Sequence, residues 1–188
     1  EITSPVIARG EIAVDGEWKR VSHGHSFSEA VVVAGPLSQD SDSPAVTRIR
    51  NATASEFEIR LNDYGGNETQ ARETVGYLVL EKGRFRLNNA TNIETGSFEA
   101  GAVYPEATAV SFRSPLAEAP VVVTSVVTDN ESQAVNGRVW NVTREGFSYA
   151  LQEAEASSDG HATETVHYVA WEPSTDSLGD TKYEAAGT

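Results

Sequence analysis

Residues 48–61 read RIRNATASEFEIRL and residues 138–151 read RVWNVTREGFSYAL, and these two stretches decide the fold. They start 90 positions apart, and four of their first ten positions are identical. In the last five positions of each stretch, a large apolar side chain stands at every second position, as Phe57, Ile59 and Leu61 do in the first stretch. A period of two is typical of a β-strand with one buried face. The two stretches therefore predict equivalent strands in a repeated unit.

The repeat extends in both directions from these stretches. VSHGHSFSEAVVV, beginning at Val21, aligns with VSFRSPLAEAPVVV, beginning at Val110. ETVGYLVLE, beginning at Glu73, aligns with ETVHYVAWE, beginning at Glu164. Three matching blocks in one order and at nearly constant spacing predict a tandem duplication of a unit of about 90 residues.

No segment offers twelve residues of helical periodicity, so the predicted fold class is all-β. We expect two tandem antiparallel β-sandwich units of about six strands each. The first unit is placed at residues 1–87 and the second at residues 88–188, with a loosely held polar tail from about residue 174. The predicted core residues are Val31, Val33, Ile49, Phe57, Ile59, Leu61, Tyr77 and Val79 in unit one, and Phe112, Val121, Val123, Val139, Phe147, Tyr149, Leu151 and Trp171 in unit two.

Charge and composition exclude several partners. The 188 residues carry 28 acidic and 14 basic side chains, a formal net charge of −14. Such a field repels phosphate backbones and anionic lipid surfaces, so no nucleic acid is expected as a partner. No apolar run is long enough to span a membrane. The acid surplus suits salty surroundings, with cation binding or a basic partner as alternatives.

The chain contains no cysteine and no methionine. Disulfides, thiolate metal sites and cysteine nucleophiles are thereby excluded. We expect a piece of a processed secreted protein or one module of a longer polypeptide, secreted or displayed at the cell surface.

The order of the blocks resembles the H-type lectin domain, which is found in snail agglutinins and slime-mould discoidins. In unit two the resemblance is carried by Val110, Phe112, Leu116, Pro120, Val121, Val123, Arg138, Val139, Asn141, Val142, Thr143, Gly146, Phe147 and Trp171. Unit one departs from the pattern at His23 in place of Phe112, Glu56 in place of Gly146 and Leu80 in place of Trp171, and it has no proline before Val31. The resemblance implies six-stranded sandwiches, noncatalytic carbohydrate binding, no cofactor and a trimeric or hexameric assembly.

Arg48 and Arg138 lie on the strand face opposite Ile49 and Val139, because adjacent strand residues point to opposite sides. The resemblance implies that an arginine at this position binds sugar hydroxyls, for which the guanidinium's fork of donors is suited. Pairing with a surplus acid is the alternative. Trp140, on the face of Arg138, could stack on a sugar ring or be buried under the neighbouring unit.

His161 completes the candidate sugar ligands of unit two by resemblance, since it lies ten residues before Trp171. Gly160 stands where the family has an aromatic residue. The corresponding place in unit one is near Gln70, and Tyr64 in the same loop is a further candidate.

Metal binding and catalysis receive less support. His23 and His25 form an H-x-H pair without a third ligand, which favours a semi-buried or interface histidine over zinc. The loop containing Asp40 and Asp42 could hold calcium but lacks the EF-hand glycine and glutamate, and an ordinary connection is the default. No catalytic motif is present, so the chain is not expected to be an enzyme.

Three function classes follow. The leading one is a lectin or carbohydrate-binding module. The alternative is a structural, assembly or adhesion module of a surface appendage or phage tail without sugar binding, and an enzyme using paired carboxylates ranks last. A solvent-open Arg138 beside an aromatic wall favours sugar, whereas burial of Arg138 in a salt bridge between units favours assembly. Unit two is expected to keep the stronger sugar site.

Overall fold

The computed structural model describes residues 5–38, 40, 44–64, 72–87, 90–153, 160–178 and 181–186. Within these ranges the chain forms fifteen β-strands and no helix. All pairings between these strands are antiparallel. The all-β, antiparallel prediction is therefore confirmed.

Unit one is a sandwich of two three-stranded sheets. Its strands are β1 Ile7–Val14, β2 Lys19–Ser22, β3 Ala30–Leu37, β4 Ala45–Arg50, β5 Glu56–Asp63 and β6 Glu73–Glu81. Sheet 1a has the order β1-β6-β3 and sheet 1b the order β2-β5-β4. Phe57, Ile59 and Leu61 of β5 are buried between the two sheets, as their alternation predicted.

Unit two has the same strand order. Its strands are β7 Gly83–Arg86, β8 Asn92–Ala100, β9 Thr108–Ser111, β10 Val121–Val126, β11 Asn136–Trp140, β12 Gly146–Gln152 and β13 Glu164–Trp171. Sheet 2a has the order β10-β13-β8-β7 and sheet 2b the order β11-β12-β9. When β7 is set aside and the other six strands of unit two are counted from β8, sheet 2a contains the first, sixth and third strands. Sheet 2b contains the second, fifth and fourth. The two sheets of unit one have the same composition and order.

The repeated R-x-x-N-x-T motif forms the same turn in both units. Asn51 and Asn141 adopt left-handed conformations with φ of 50° and 51°, which asparagine tolerates better than most residues. The Thr53 and Thr143 backbone N–H groups each donate to a carbonyl three residues on, at 2.8 Å. The duplication and its boundary after residue 87 stay predictions. The shared geometry supports the duplication, while β7, which lies before that boundary, pairs with β8 of unit two.

The predicted core is wrong in phase for the third strand of each unit. Val32, not Val31 or Val33, points into the core of unit one. In unit two Val122 packs on the core, while Val123 is 46% exposed. A run of three valines has no alternation from which its inward face can be read, and a shift of one residue reverses every side chain.

The outward faces of sheets 1a and 2a pack against each other. Their shared cluster contains Val31, Val33, Leu80, Leu87, Ile93 and Val169 as buried residues. Trp171, predicted in the core of unit two, lies at this cluster instead. The two sandwiches therefore share a third hydrophobic core between them.

A hairpin follows unit two where the sequence analysis expected a loosely held tail. Its strands are β14 Ser174–Leu178 and β15 Thr181–Ala185, and among the strands that the structure describes they pair only with each other. The ring of Tyr183 packs on Trp171 with 4.8 Å between centroids. This contact ties the hairpin to sheet 2a.

Candidate functional site

Arg48 is buried in an ion-pair network between the units. Its side chain has 0% exposure, and its Nη2 donates to Glu164 Oε1 at 2.8 Å and to Asp129 Oδ1 at 3.2 Å. The same nitrogen donates to the Glu131 carbonyl at 3.1 Å. Strand β4 places Arg48 opposite buried Ile49, so the guanidinium leaves unit one and meets these three acceptors of unit two. In this arrangement Arg48 presents no donor to solvent.

The carboxylate of Glu164 is held by further donors. The hydroxyl of Thr128 donates to Oε2, and the backbone N–H of Asn130 lies 3.2 Å from Oε1. Arg60 lies 3.6 Å from Asp129 and adds a second positive charge. Such pairing is what makes a buried carboxylate tolerable, since an unpartnered buried charge costs several kcal/mol.

His161 lies behind this network and not on an open surface. Its side chain has 0% exposure, and its Nδ1 is 3.9 Å from Glu164 Oε1 and 4.0 Å from Glu131 Oε2. The Nδ1 N–H donates to the Ala162 carbonyl at 2.8 Å, the role that a carbonyl partner assigns to it. His161 and Arg48 are thus brought together inside the interface.

Two side chains of sheet 2a bind the free edge of β3. The Val32 N–H donates to His167 Nδ1 at 2.9 Å, and the Ala34 N–H donates to Ser125 Oγ at 3.0 Å. Burial, with a smaller effect of Lys82, lowers the pKa of His167 to about 4. The ring is therefore neutral near pH 7 and its Nδ1 can accept a hydrogen bond. These contacts close an edge that would otherwise be open to pairing.

Arg138, the counterpart of Arg48, is exposed in unit two. Its guanidinium lies 4.1 Å above the centroid of the Tyr104 ring. Tyr104 in turn meets Trp140 edge to face, with 5.9 Å between centroids and 81° between planes. Among the described residues the guanidinium makes one hydrogen bond, at 3.5 Å to Gln152 Oε1. We call Arg138, Tyr104 and Trp140 the aromatic–arginine surface.

Tyr104 was not predicted as a site residue. It lies in the connection between β8 and β9, is 44% exposed and precedes Pro105. The repeat alignment gave no reason to select it, since the connections are where the units differ most. The exposed ring of Tyr104 beside Trp140 forms the aromatic wall next to Arg138 that a sugar site requires.

Unit one has an arginine–aromatic cluster of different composition near the corresponding strands. Arg50 and Arg60 lie 4.0 Å and 4.6 Å from the centroid of the Trp18 ring. Arg50, which replaces Trp140, also donates to Glu58 at 2.7 Å. Because the indole is in contact with two guanidinium groups and both of these are paired with carboxylates, this cluster offers less free surface than its counterpart.

The other predicted site residues stand apart from these clusters. Tyr64 is half-buried, burial raises the pKa of its hydroxyl, and its N–H donates to the Pro44 carbonyl. Gln70 lies outside the described residues. Both stay predictions from sequence.

An open groove of about 690 Å³ lies over sheet 1a. Gly35 and Gly76 line it, and a side chain added at either would meet open space. Their counterparts in unit two are Ser125 and His167, the two residues that bind β3. Unit one therefore lacks the side chains that unit two uses to hold a neighbouring strand.

Nothing in the described part of the chain forms a metal centre. No group of three or more metal-binding side chains occurs among the residues described. His23 is buried against Phe27 with 5.2 Å between ring centroids, whereas His25 is exposed, so the semi-buried interpretation of His23 fits. Asp42 of the acidic loop lies outside the described residues. No helix capable of crossing a membrane is found in the ranges that the structure covers.

Comparison with curated proteins finds similarity to halomucin of Haloquadratum walsbyi (strain DSM 16790 / HBSQ001). The two are 29% identical over 181 residues, which is 90% of this chain and 2% of halomucin. The chain thus spans a small fraction of the relative it matches. No family model matches the chain, and no solved structure matches it. Its function is therefore inferred from its own surfaces.

Proposed function

We propose that the chain is a noncatalytic carbohydrate-binding module, secreted or displayed at the cell surface, whose sugar site is the aromatic–arginine surface of unit two. The observation that carries the proposal is the exposed Arg138 guanidinium stacked on Tyr104 beside Trp140. The resemblance to H-type lectins supports carbohydrate binding, and the similarity to a segment of halomucin supports display at the cell surface.

The chemistry of the surface fits a sugar ring. Stacking on Tyr104 fixes the plane of the Arg138 guanidinium, whose donors at the rim suit two neighbouring hydroxyls. The exposed ring of Tyr104 and the half-buried ring of Trp140 supply apolar area for the C–H face of a pyranose. Because the net charge is −14, the protein field disfavours polyanionic glycans and favours a neutral one.

Glycan-array screening with polysaccharides, followed by calorimetry on the best ligand, tests this function. Arg138→Ala and Trp140→Ala should each weaken binding by about five- to hundredfold, which corresponds to about 1–3 kcal/mol. Arg50→Ala is the matched control, because it removes a stacked arginine from unit one. If the control weakens binding as much as Arg138→Ala, the site is not on this surface.

A second candidate is a structural or assembly module without sugar binding. The network around Arg48 and the contacts of His167 and Ser125 with β3 join the two sandwiches through buried polar groups. If joining is the function, the units should unfold together. Calorimetry tests this, because one cooperative transition has equal calorimetric and van't Hoff enthalpies. Two separate transitions would remove the support for this candidate.

A further inference from the structure

The hairpin β14–β15 has the same pairing register as the hairpin β7–β8. The pair Phe85–Ile93 becomes Asp176–Tyr183 when 91 is added to the first number and 90 to the second. The other three pairs of β7–β8 convert in the same way. These two increments are the spacings that separate equivalent residues elsewhere, 90 for Arg48 and Arg138 and 91 for the strands β6 and β13.

The sequences of the second strands also correspond. Residues 91–94 read TNIE and residues 181–184 read TKYE, again 90 positions apart. The first of these segments leads into β8, the opening strand of unit two. The second segment lies within β15. Because it matches the segment at the start of β8, β15 corresponds to the opening strand of a unit.

β15 packs on unit two at positions equivalent to those at which β8 packs on unit one. Ile93 of β8 and Leu80 of β6 are fully buried in the cluster between the units. At the equivalent positions Tyr183 of β15 packs on Trp171 of β13. The hairpin therefore lies on unit two where the start of unit two lies on unit one.

The face of unit one that unit two covers has an open counterpart on unit two. Val31, Val33 and Arg48 are 1%, 2% and 0% exposed. Their counterparts are Val121, which is half-buried, Val123, which is 46% exposed at the rim of the groove over sheet 1a, and Arg138, which is exposed. We call Val121, Val123 and Arg138 the open face.

We propose that the open face is a docking site for a further unit of the same kind, which begins with β15 and covers unit two as unit two covers unit one. In this arrangement a buried glutamate equivalent to Glu164 pairs with Arg138, and the apolar face of the added first sheet covers Val123. The occupant is fixed by the hairpin already seated on Trp171.

Docking and sugar binding use the same arginine and exclude each other. A following unit closes the aromatic–arginine surface of the unit before it, as the second unit closes Arg48. Sugar binding is then confined to a unit that has no successor. Docking does not depend on glycan binding, so either can fail while the other stands.

A three-unit chain tests the proposal: residues 1–184 followed directly by residues 95–188, so that Glu184 takes the place of Glu94. Arg138→Ala is introduced in this chain and in the 188-residue chain, and urea unfolding is followed for both. In the 188-residue chain the variant should leave the unfolding midpoint unchanged. In the three-unit chain it should lower the midpoint as Arg48→Ala does, because Arg138 is now buried. The matched control is Arg138→Ala in the added third unit, which should leave the unfolding midpoint unchanged.

Two outcomes overturn the proposal. One is that Arg138→Ala leaves the unfolding midpoint of the three-unit chain unchanged, although circular dichroism shows that the added residues are folded. The other is an added unit that does not fold although the first two do, because β15 would then not open a unit. If glycan binding at Arg138 is also unchanged in the three-unit chain, the open face is a sugar site only.

Discussion

Arg48 and Arg138 occupy equivalent positions in their units but have opposite surroundings. Arg48 is fully buried against Glu164, and Arg138 lies in solvent on the ring of Tyr104. The two strands that carry them have the same register with their neighbours. The acceptors that unit two supplies, and not the fold of unit one itself, therefore account for the burial of Arg48.

The largest difference between the two regions is expected on removing the arginines. Arg48→Ala leaves the carboxylate of Glu164 buried without its main partner, which should cost about 3–5 kcal/mol of unfolding free energy. Arg138→Ala should change it by no more than about 0.5 kcal/mol. Urea unfolding monitored by tryptophan fluorescence measures both.

The double variant Arg48→Ala with Glu164→Gln controls for lost packing. It should recover part of the loss, because it removes the orphaned charge. Equal costs for Arg48→Ala and Arg138→Ala would show that burial against Glu164 does not set the two arginines apart.

The contact between His167 and β3 should make the interface sensitive to acid. The pKa of His167 is lowered to about 4 by burial, against about 6.5 in an unfolded chain. Its contribution is therefore present above pH 6.5 and is lost as the pH falls towards 4, by at most about 3 kcal/mol. The unfolding free energy should be measured across this range for the wild type and for His167→Asn.

The asparagine variant is informative because its Oδ1 stands near the position of Nδ1 and can still accept from Val32. It should be less sensitive to pH between 6.5 and 4 than the wild type. An unchanged pH profile would mean that His167 does not couple the interface to acid.

Gly146 marks a further difference between the units, since Glu56 stands at its counterpart. A Cβ at Gly146 would lie 2.0 Å from the Val110 carbonyl oxygen. Gly146→Ala must push β9 and β12 apart and should cost about 1–3 kcal/mol. Glu56→Ala should cost no more than about 0.5 kcal/mol. Thermal unfolding of the two variants gives the comparison, and equal shifts would show that the close approach carries no cost.

The smallest expected effect concerns the outward valines of β3 and β10. Val33 is 2% exposed and Val123 is 46% exposed. Val33→Ala should therefore cost about 1–2 kcal/mol, and Val123→Ala close to nothing. Urea unfolding of both variants, measured side by side, checks the ratio. A larger loss for Val123→Ala would mean that the open face is already covered.

Alternation predicted the strands well where it exists. Phe57 to Leu61 and Phe147 to Leu151 have strict or nearly strict period two, and their large residues are buried as expected. The valine runs of β3 and β10 have no such pattern, so the inward residue was assigned one position out in both units. Trp171 was assigned to the core of unit two, but its ring points outward, where the cluster between the units and Tyr183 of the hairpin pack on it.

The candidate site was predictable only in part. The repeat identified Arg48 and Arg138, and their flanking residues favoured unit two as the stronger site. The burial of Arg48 could not be predicted, because the carboxylates that bury it come from residues more than 80 positions away. Tyr104 lies in a connection outside the matching blocks. Long-range packing, which leaves no local signal, thus decided which predicted residues are exposed.

Chemical labelling of arginine in the folded 188-residue chain compares the solvent exposure of Arg48 and Arg138 directly. A dicarbonyl reagent such as phenylglyoxal, followed by peptide mass spectrometry, reports the modification rate at each arginine. Arg138 should be modified rapidly, while Arg48 should react only through unfolding and many times more slowly. Modification of Arg48 and Arg138 at comparable rates under native conditions would contradict this expectation.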